Sequence, residues 1–549
     1  MTQSSPKLRE SVPLLTGRGQ FLDDINLPNT LHVAFVRSPF AHAKIIEIDT
    51  ADALDVSGVE AILTGLELQA ALKPLNAPMQ TPTYRPTEWY PLAVDKVIYG
   101  GEPVAVVIAN NRYTAEDAAE LVYVDYEMLK PVASADQALD EATAPIHEHM
   151  DSNVLVENPA GGGVDDAVFA AAEHHVSGSF QHPRVHTLPI EGRGVLADFR
   201  DGTDTLTVWS STQIPHILQD LVADSLSHPA QQIRVIAPNV GGGFGLKSAC
   251  YPEEVLIPYL AKRLGRPVKW TQDRLEALQA GSHARDIVVH AELAADVDGK
   301  IIGLKAHAVC DVGAYHLYPY TGGLDLFSIG GSLPGPYDFE HYAFTSQAVC
   351  TNKCVVGAYR GVGAVMGPLV MEGLLNRLAK KLGKDPLEIR QINLARPDKF
   401  PFTGPSGATY DSGNYPVLLD LAMEESDYPE LRQLQKDAQN EGRLVGIGLT
   451  CFVEGSAGGR SQFANRRMDA VPGFDAAIIK VNRQGEVSVF VSTPSQGQGQ
   501  YTTFAHLLAE SLGIHPNKIN VILGDTATCL LYTSPSPRDL STSRMPSSA

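Results

Sequence analysis

Four short loops hold the residues of this chain best suited to gripping a ligand: 210–213 (SSTQ), 241–245 (GGGFG), 358–363 (AYRGVG) and 496–500 (QGQGQ). Each offers donors rather than a nucleophile. Gln213 and Gln498 bring amides, Arg360 brings a guanidinium, and the glycines expose backbone N–H groups that a bulky ligand can approach closely. Together these groups suit a large polar cofactor with phosphate and heterocyclic parts. Singly, each has a plainer reading: glycines as tight turns, glutamines as helix-entry surface residues, Arg360 as the partner of a carboxylate.

The elements that must position these loops are legible around the second of them. Ile233, Val235 and Ile236 predict a buried strand, Gly241, Gly242 and Gly243 a turn, and Val255, Leu256, Tyr259, Leu260 and Leu264 one apolar face of a helix. N–H groups in such a turn, with a helix N-terminus close by, favour an anion. The familiar nucleotide motifs nevertheless fail. Leu246 stands where GxGxxG needs its third glycine, Lys247 follows leucine rather than the glycine of a Walker loop, and no GxSxG sits in a strand-turn-helix setting. An internal similarity links two parts of the chain, ADSLSHPAQQIRVI at 223–236 and AESLGIHPNKINVI at 509–522, each with a Ser-Thr pair upstream at 211–212 and 492–493. Five extra residues in the second copy fall where PSQGQGQ lies, so we read two related units, the second with a longer loop.

With 549 residues, 44% hydrophobic and 19% charged, the chain has room for several folded domains. A net charge of −20 opposes nucleic acid and anionic membranes, so phosphate must be held locally. Six scattered cysteines without a CxxC point to reduced thiols, and no iron–sulfur cluster is expected on this chain. No apolar run reaches membrane-spanning length, and a cytoplasmic location is expected. Strand-like segments and one helix, with Thr114 as its cap, predict a small mixed domain over 14–132. Residues 133–166, with glycines at 161–163, read as a linker, 167–395 as a second domain, 396–416 as a connection, and 417–528 as a third, incomplete domain. The expected class is α+β multidomain.

The stretches LLTGRGQFLDDINLPNTLHVAFVRSPFAHAKI, GGEPVAVVIA, YTAEDAAELVYVDYE, SSTQIPH, VGGGFGLK, AYRGVG and GQGQYTTFAHLLAESLGI resemble, in order, the molybdenum-binding large subunit of the xanthine dehydrogenase and aldehyde oxidase family. The resemblance runs from about residue 9 to 528. It implies an N-terminal α/β hammerhead domain followed by two molybdopterin-cofactor-binding domains. The implied cofactor is molybdenum–molybdopterin, commonly the cytosine dinucleotide form in similar bacterial proteins. By residue-to-residue match Gln213, Phe244 and Arg360 line the metal centre, with Gly242, Gly243 and Gly245 in the turn, while Gln496, Gly497 and Gln498 hold the pterin. Partner subunits carrying FAD and two 2Fe–2S clusters are implied as the electron route.

The implied reaction hydroxylates an electron-poor carbon of an aldehyde or N-heterocycle with oxygen from water, helped by a glutamate acting as general base. The resemblance places that glutamate beyond Ala549, and the 529–549 tail reads as foreign or frame-shifted, so this stretch alone is expected to be inactive. In the substrate pocket Ser248 replaces the glutamate of purine-specific relatives and Val362 their phenylalanine, and the loop before PGPY lacks the purine-binding arginine. Gly361 follows Arg360 where carbon monoxide dehydrogenases have a cysteine, which disfavours that reaction too. The alternatives are a non-catalytic cofactor-binding or assembly protein and, disfavoured by the failed fingerprint, a nucleotide-dependent dehydrogenase.

Overall fold

A computed structural model of the chain describes residues 8–161, 166–455, 459–465, 471, 473 and 475–528. The tail at 529–549 and two of the three glycines at 161–163 lie outside the described residues.

The site is built on a mixed seven-stranded sheet in the order Ile233–Ile236, Thr205–Ser210, Gly194–Arg200, Val268–Thr271, Leu31–Arg37, Pro103–Ala109, Val59–Thr64. Pro103–Ala109 (PVAVVIA) is buried at every position, as a continuous apolar run must be when both faces of a strand are covered. The sheet runs across the 132 division: Leu31 pairs in parallel with Val268, joining strands far apart in sequence. A smaller sheet of Ala43–Asp49, Lys96–Val97 and Tyr123–Met128 completes the N-terminal part. Its helix, Arg112–Ala119, starts earlier than the sequence predicts. Asn111, not Thr114, is the cap, because its extended backbone lets the side-chain oxygen accept from Thr114 N at 2.9 Å. A second, five-stranded sheet (Val154–Gly161, His341–Cys350, Ile301–Gly313, Ile287–Ala295, His174–His182) lies under helix Met366–Leu382.

The repeated sequence forms a repeated structure. Thr205–Ser210, helix Pro215–Leu226 and Ile233–Ile236 make one parallel crossover, and Val487–Val491, helix Gln500–Leu512 and Ile519–Leu523 make another. Each is flanked by an antiparallel strand, Gly194–Arg200 in the first and Ala477–Val481 in the second. The second unit has its own small core around Val489, Ala505 and Val521. The two units are stitched end to end: Ala237 N donates to Gly524 O at 2.8 Å, and Arg234 pairs with Asp525 at 2.6 Å.

Helix Pro252–Leu264 follows the glycine turn, but it does not have the single apolar face its spacing predicts. Positions 252–258, 260 and 261 are all buried, because the helix packs between strand Gly194–Arg200 on one side and helix Pro215–Leu226 on the other. Its two buried carboxylates are handled in opposite ways. Burial raises the pKa of Glu253, but Arg193 and Arg37 outweigh burial and hold it at about 2. Burial takes the pKa of Glu254 from 4.5 to about 7, since its hydrogen bonds from Ser210 Oγ and Tyr251 N and the charge of Arg193 offset only part of the desolvation.

An acid whose folded pKa lies above its unfolded one holds its proton longer in the native state, so stability falls as pH rises through the window between the two values. Glu102, also raised to about 7 by burial, adds to the same slope. These two acids therefore each contribute a fall in stability between about pH 4.5 and 7, opposed by a rise from His147, His186 and His316, whose pKa values burial lowers to about 4. Glu254→Gln keeps an acceptor for Tyr251 N and a donor for Ser210, so relative to wild type the variant is expected to lose only the Glu254 share of that fall. It should gain on the order of 2–3 kcal/mol over wild type at pH 8, read from denaturant midpoints across the range. An unchanged slope would contradict this.

Among the described residues no helix is long and apolar enough to cross a membrane. The five described cysteines are free thiols, and Cys350 and Cys354, four positions apart, point at different carbonyls, Cys350 at Ala314 O and Cys354 at Gly281 O.

Candidate cofactor site

The glycine turn is contorted because it must pass between two other loops. Gly242 has φ +87°, Phe244 +54° and Gly245 +108°, so a bulky residue is held in a region that L side chains rarely adopt. Phe244 is 47% exposed, unusual for a large apolar side chain placed at such a cost.

The SSTQ loop packs on this turn. Gln213 N donates to Lys247 O at 2.7 Å, and Gly245 N donates to Gln213 Oε1 at 3.0 Å. A Cβ on Gly243 would lie 2.4 Å from that same Oε1, so only glycine admits the amide. Gln213 Nε2 is left without a partner among the described residues and remains available as a donor.

The AYRGVG loop closes on the other side. Arg360 N donates to Phe244 O at 2.9 Å, and a Cβ on Gly245 would stand 2.4 Å from Ala358 O. This loop is pinned from beneath by Arg285, 4% exposed, whose Nη1 donates to Val362 O at 2.6 Å and Nη2 to Arg360 O at 2.9 Å. The guanidinium of Arg360 itself is exposed and takes no described partner. Val362 is half-buried against Leu324, Ala358 and Phe463.

Three of the four loops are thus in direct contact. The fourth reaches the same edge: a Cβ on Gly524 would meet both Pro494 and Ala237, which places the approach to QGQGQ beside the approach to GGGFG. No described hydrogen bond joins Gln496, Gly497 or Gln498 to Gln213, Phe244 or Arg360. Gln496 N donates to Gln498 Oε1 at 2.5 Å, and Gly497 (φ +98°) faces open space.

One sequence expectation changes here. The turn is not a free anion cradle: Gly241 N donates to Glu191 Oε2 at 2.7 Å, Gly242 N to Val240 O, and Gly245 N to Gln213, so three of its N–H groups are already satisfied within the protein. Ser248 is 8% exposed, with its hydroxyl donating to Gly245 O at 2.6 Å, so it braces the turn from behind. Lys247 points inward as well, with Nζ 2.8 Å from Glu191, and burial lowers its pKa against the pull of that carboxylate.

Glu191 and Arg285 are the residues sequence reasoning missed. Each lies in a loop remote in sequence from what it holds, and neither carries a motif of its own. Among the described residues no three His, Cys, Asp or Glu side chains converge as a metal-ligand set. The loops that do meet carry an amide, a guanidinium and backbone N–H groups, groups of the kind that can hold a ligand by hydrogen bonds.

The chain is similar to known proteins over most of its length. Residues 16–130 match the aldehyde oxidase and xanthine dehydrogenase a/b hammerhead domain, and residues 146–394 and 421–536 each match a molybdopterin cofactor-binding domain. The nicotine 6-hydroxylase large subunit of Paenarthrobacter nicotinovorans is 38% identical over 527 residues, 96% of this chain and 64% of that one. The carbon monoxide dehydrogenase large chain of Hydrogenophaga pseudoflava is 35% identical, over 95% of this chain and 66% of that one. The chain thus spans about two thirds of the length of these curated relatives. The crystal structure of quinoline 2-oxidoreductase from Pseudomonas putida 86 superimposes with a TM-score of 0.92 at 36% identity, covering 96% of this chain and 67% of that one. With a hammerhead domain, two cofactor-binding domains and this likeness in sequence and structure, the chain belongs to the xanthine dehydrogenase and aldehyde oxidase family, as a molybdopterin-binding large subunit.

Proposed function

We propose that this chain hydroxylates an aldehyde or an N-heterocycle, using a molybdenum–molybdopterin cofactor in its cytosine dinucleotide form. The observation that carries the reading is the meeting of three loops at the strained Phe244 turn, where Gln213 and Arg360 each bond its backbone while Gln213 Nε2 and the exposed Arg360 guanidinium take no partner among the described residues. The residues present fit such a group. Gln213 Nε2 and Arg360 are open donors for its polar atoms, and the bare Gly497 leaves room in the QGQGQ loop for the pterin. When bound, the group supplies the two-electron oxidation and delivers oxygen derived from water.

This chain's residues then have separate tasks. Gln213 and Arg360 orient the group, Phe244 limits water at the turn, and Val362 with Phe463 shapes an apolar side of the pocket. Two relatives are named for nicotine and quinoline, both N-heterocycles, which supports the N-heterocycle reading. A general-base glutamate encoded after Ala549, FAD and 2Fe–2S partner subunits, a cytoplasmic location and the division at 14–132, 167–395 and 417–528 belong to the same reading.

The test is metal and pterin content of the chain produced with cofactor supply and with the genomic sequence that follows Thr528 in place of the 529–549 tail, then turnover of a quinoline or pyridine in 18O-labelled water with an artificial electron acceptor. The expected result is about one molybdenum and one pterin per chain and label in the product. Cofactor without turnover favours a binding or assembly role, and an extended chain without molybdenum refutes the proposal.

A further inference from the structure

We propose that Glu191 is a positioning residue for the cofactor site, its single carboxylate fixing the SSTQ loop and both ends of the glycine turn to one another. The proposal rests on the cofactor reading above. Glu191 Oε2 accepts from Ser211 Oγ at 2.7 Å, from Gly241 N at 2.7 Å and from Lys247 Nζ at 2.8 Å. These donors stand two residues before Gln213, at the first residue of the turn, and two residues past Gly245. Lys247 O in turn accepts from Gln213 N at 2.7 Å and Thr212 Oγ1 at 3.3 Å, and Gln213 Oε1 accepts from Gly245 N.

The links form a closed ring, so the register of the Gln213 amide against Phe244 and Gly245 depends on one half-buried acceptor. The approach is close: a Cβ on Gly241 would fall 2.6 Å from Glu191 Cβ, which makes Gly241 the glycine that admits the carboxylate. Lys247 is 1% exposed, and Glu191 is the only described partner of its ammonium. Removing the acid therefore strands an ammonium as well as two neutral donors, and a half-satisfied polar network is worse than none.

The test uses Glu191→Gln, Lys247→Met, their double variant and the milder Ser211→Ala, in the assembled protein and in the cofactor-free chain. Amide hydrogen exchange over 211–214 and 241–248 reports the ring directly, and molybdenum and pterin content report its consequence. Glu191→Gln and Lys247→Met are each expected to raise exchange in these two segments about tenfold or more, the scale of one lost charge-assisted hydrogen bond, and to lower cofactor content by a similar factor. The double variant is expected to be no worse than the worse single one, because the ring breaks once. Ser211→Ala is expected to raise exchange over 211–214 with an unchanged melting midpoint, which separates a local tie from general support of the fold. Wild-type exchange in both segments, or strictly additive losses, would overturn the assignment. A wild type without cofactor whose variants still lose protection would refute the cofactor reading and leave the ring standing.

Discussion

Gly245→Ala is expected to reduce the molybdenum and pterin carried per chain to about a tenth of wild type or less, with most of the fold retained. Two costs combine at this position. The backbone sits at φ +108° and ψ −27°, where an L side chain finds no ready minimum, and the added Cβ would stand 2.4 Å from Ala358 O and 2.7 Å from its carbonyl carbon. The obstacle is backbone, so no rotamer change relieves it, and the AYRGVG loop must move away from Phe244. Together the strain and the overpacking come to about 2–4 kcal/mol. Gly513→Ala is the control: it also has positive φ, +65°, but nothing lies within 4 Å of its would-be Cβ, so it should lose only about 1 kcal/mol of stability and no cofactor. Metal analysis and pterin fluorescence on both purified variants decide the matter, and Gly245→Ala with a full cofactor complement would show that the two loops need not touch.

Glu253→Ala is expected to be the most destabilising single change at the junction of the first and second regions. Glu253 Oε1 pairs with Arg37 Nη2 at 2.9 Å and Oε2 with Arg193 Nη1 at 3.0 Å, with all three side chains at most 7% exposed. Arg37 comes from strand Leu31–Arg37 and Glu253 from the helix behind the glycine turn, so one carboxylate fastens that helix to a strand of the N-terminal part. Its removal leaves two buried guanidiniums without this partner, a loss of about 3–5 kcal/mol. The same triad sets the acid limit. A carboxylate with a native pKa of about 2 against an unfolded 4.5 contributes stability that is complete above pH 4.5 and is lost as pH falls toward 2. Acid unfolding of wild type should therefore steepen below about pH 4.5, while Glu253→Ala, already lacking the pair, should show less dependence there. Equal denaturant midpoints for the two proteins at pH 7 would refute the assignment.

Local chemistry was readable where a loop announces itself by composition. SSTQ, GGGFG and AYRGVG each leave little choice of backbone, and the structure brings all three into contact. The two crossover units were readable for a related reason, since the same helix end, loop and strand start recur at the same spacing. Elsewhere the local signal misled. The apolar spacing in Pro252–Leu264 implied one covered face, but neighbours on both sides cover nearly all of it. Glycines at 241–245 implied free N–H groups, but an acid from a distant loop had already engaged the first of them.

By itself the sequence determined the strands, turns and helices that carry the site, the doubled crossover, and the family, because these depend on residue types at short spacing. Only the tertiary structure decided that Leu31 pairs with Val268 across the 132 division, that Arg285 pins the Arg360 loop, and that Glu191 rather than a phosphate sits at Gly241. Those contacts join residues from 50 to 237 positions apart. Their stability comes from burying charge and backbone beside the right partner, and nothing in the neighbouring residues records who that partner is.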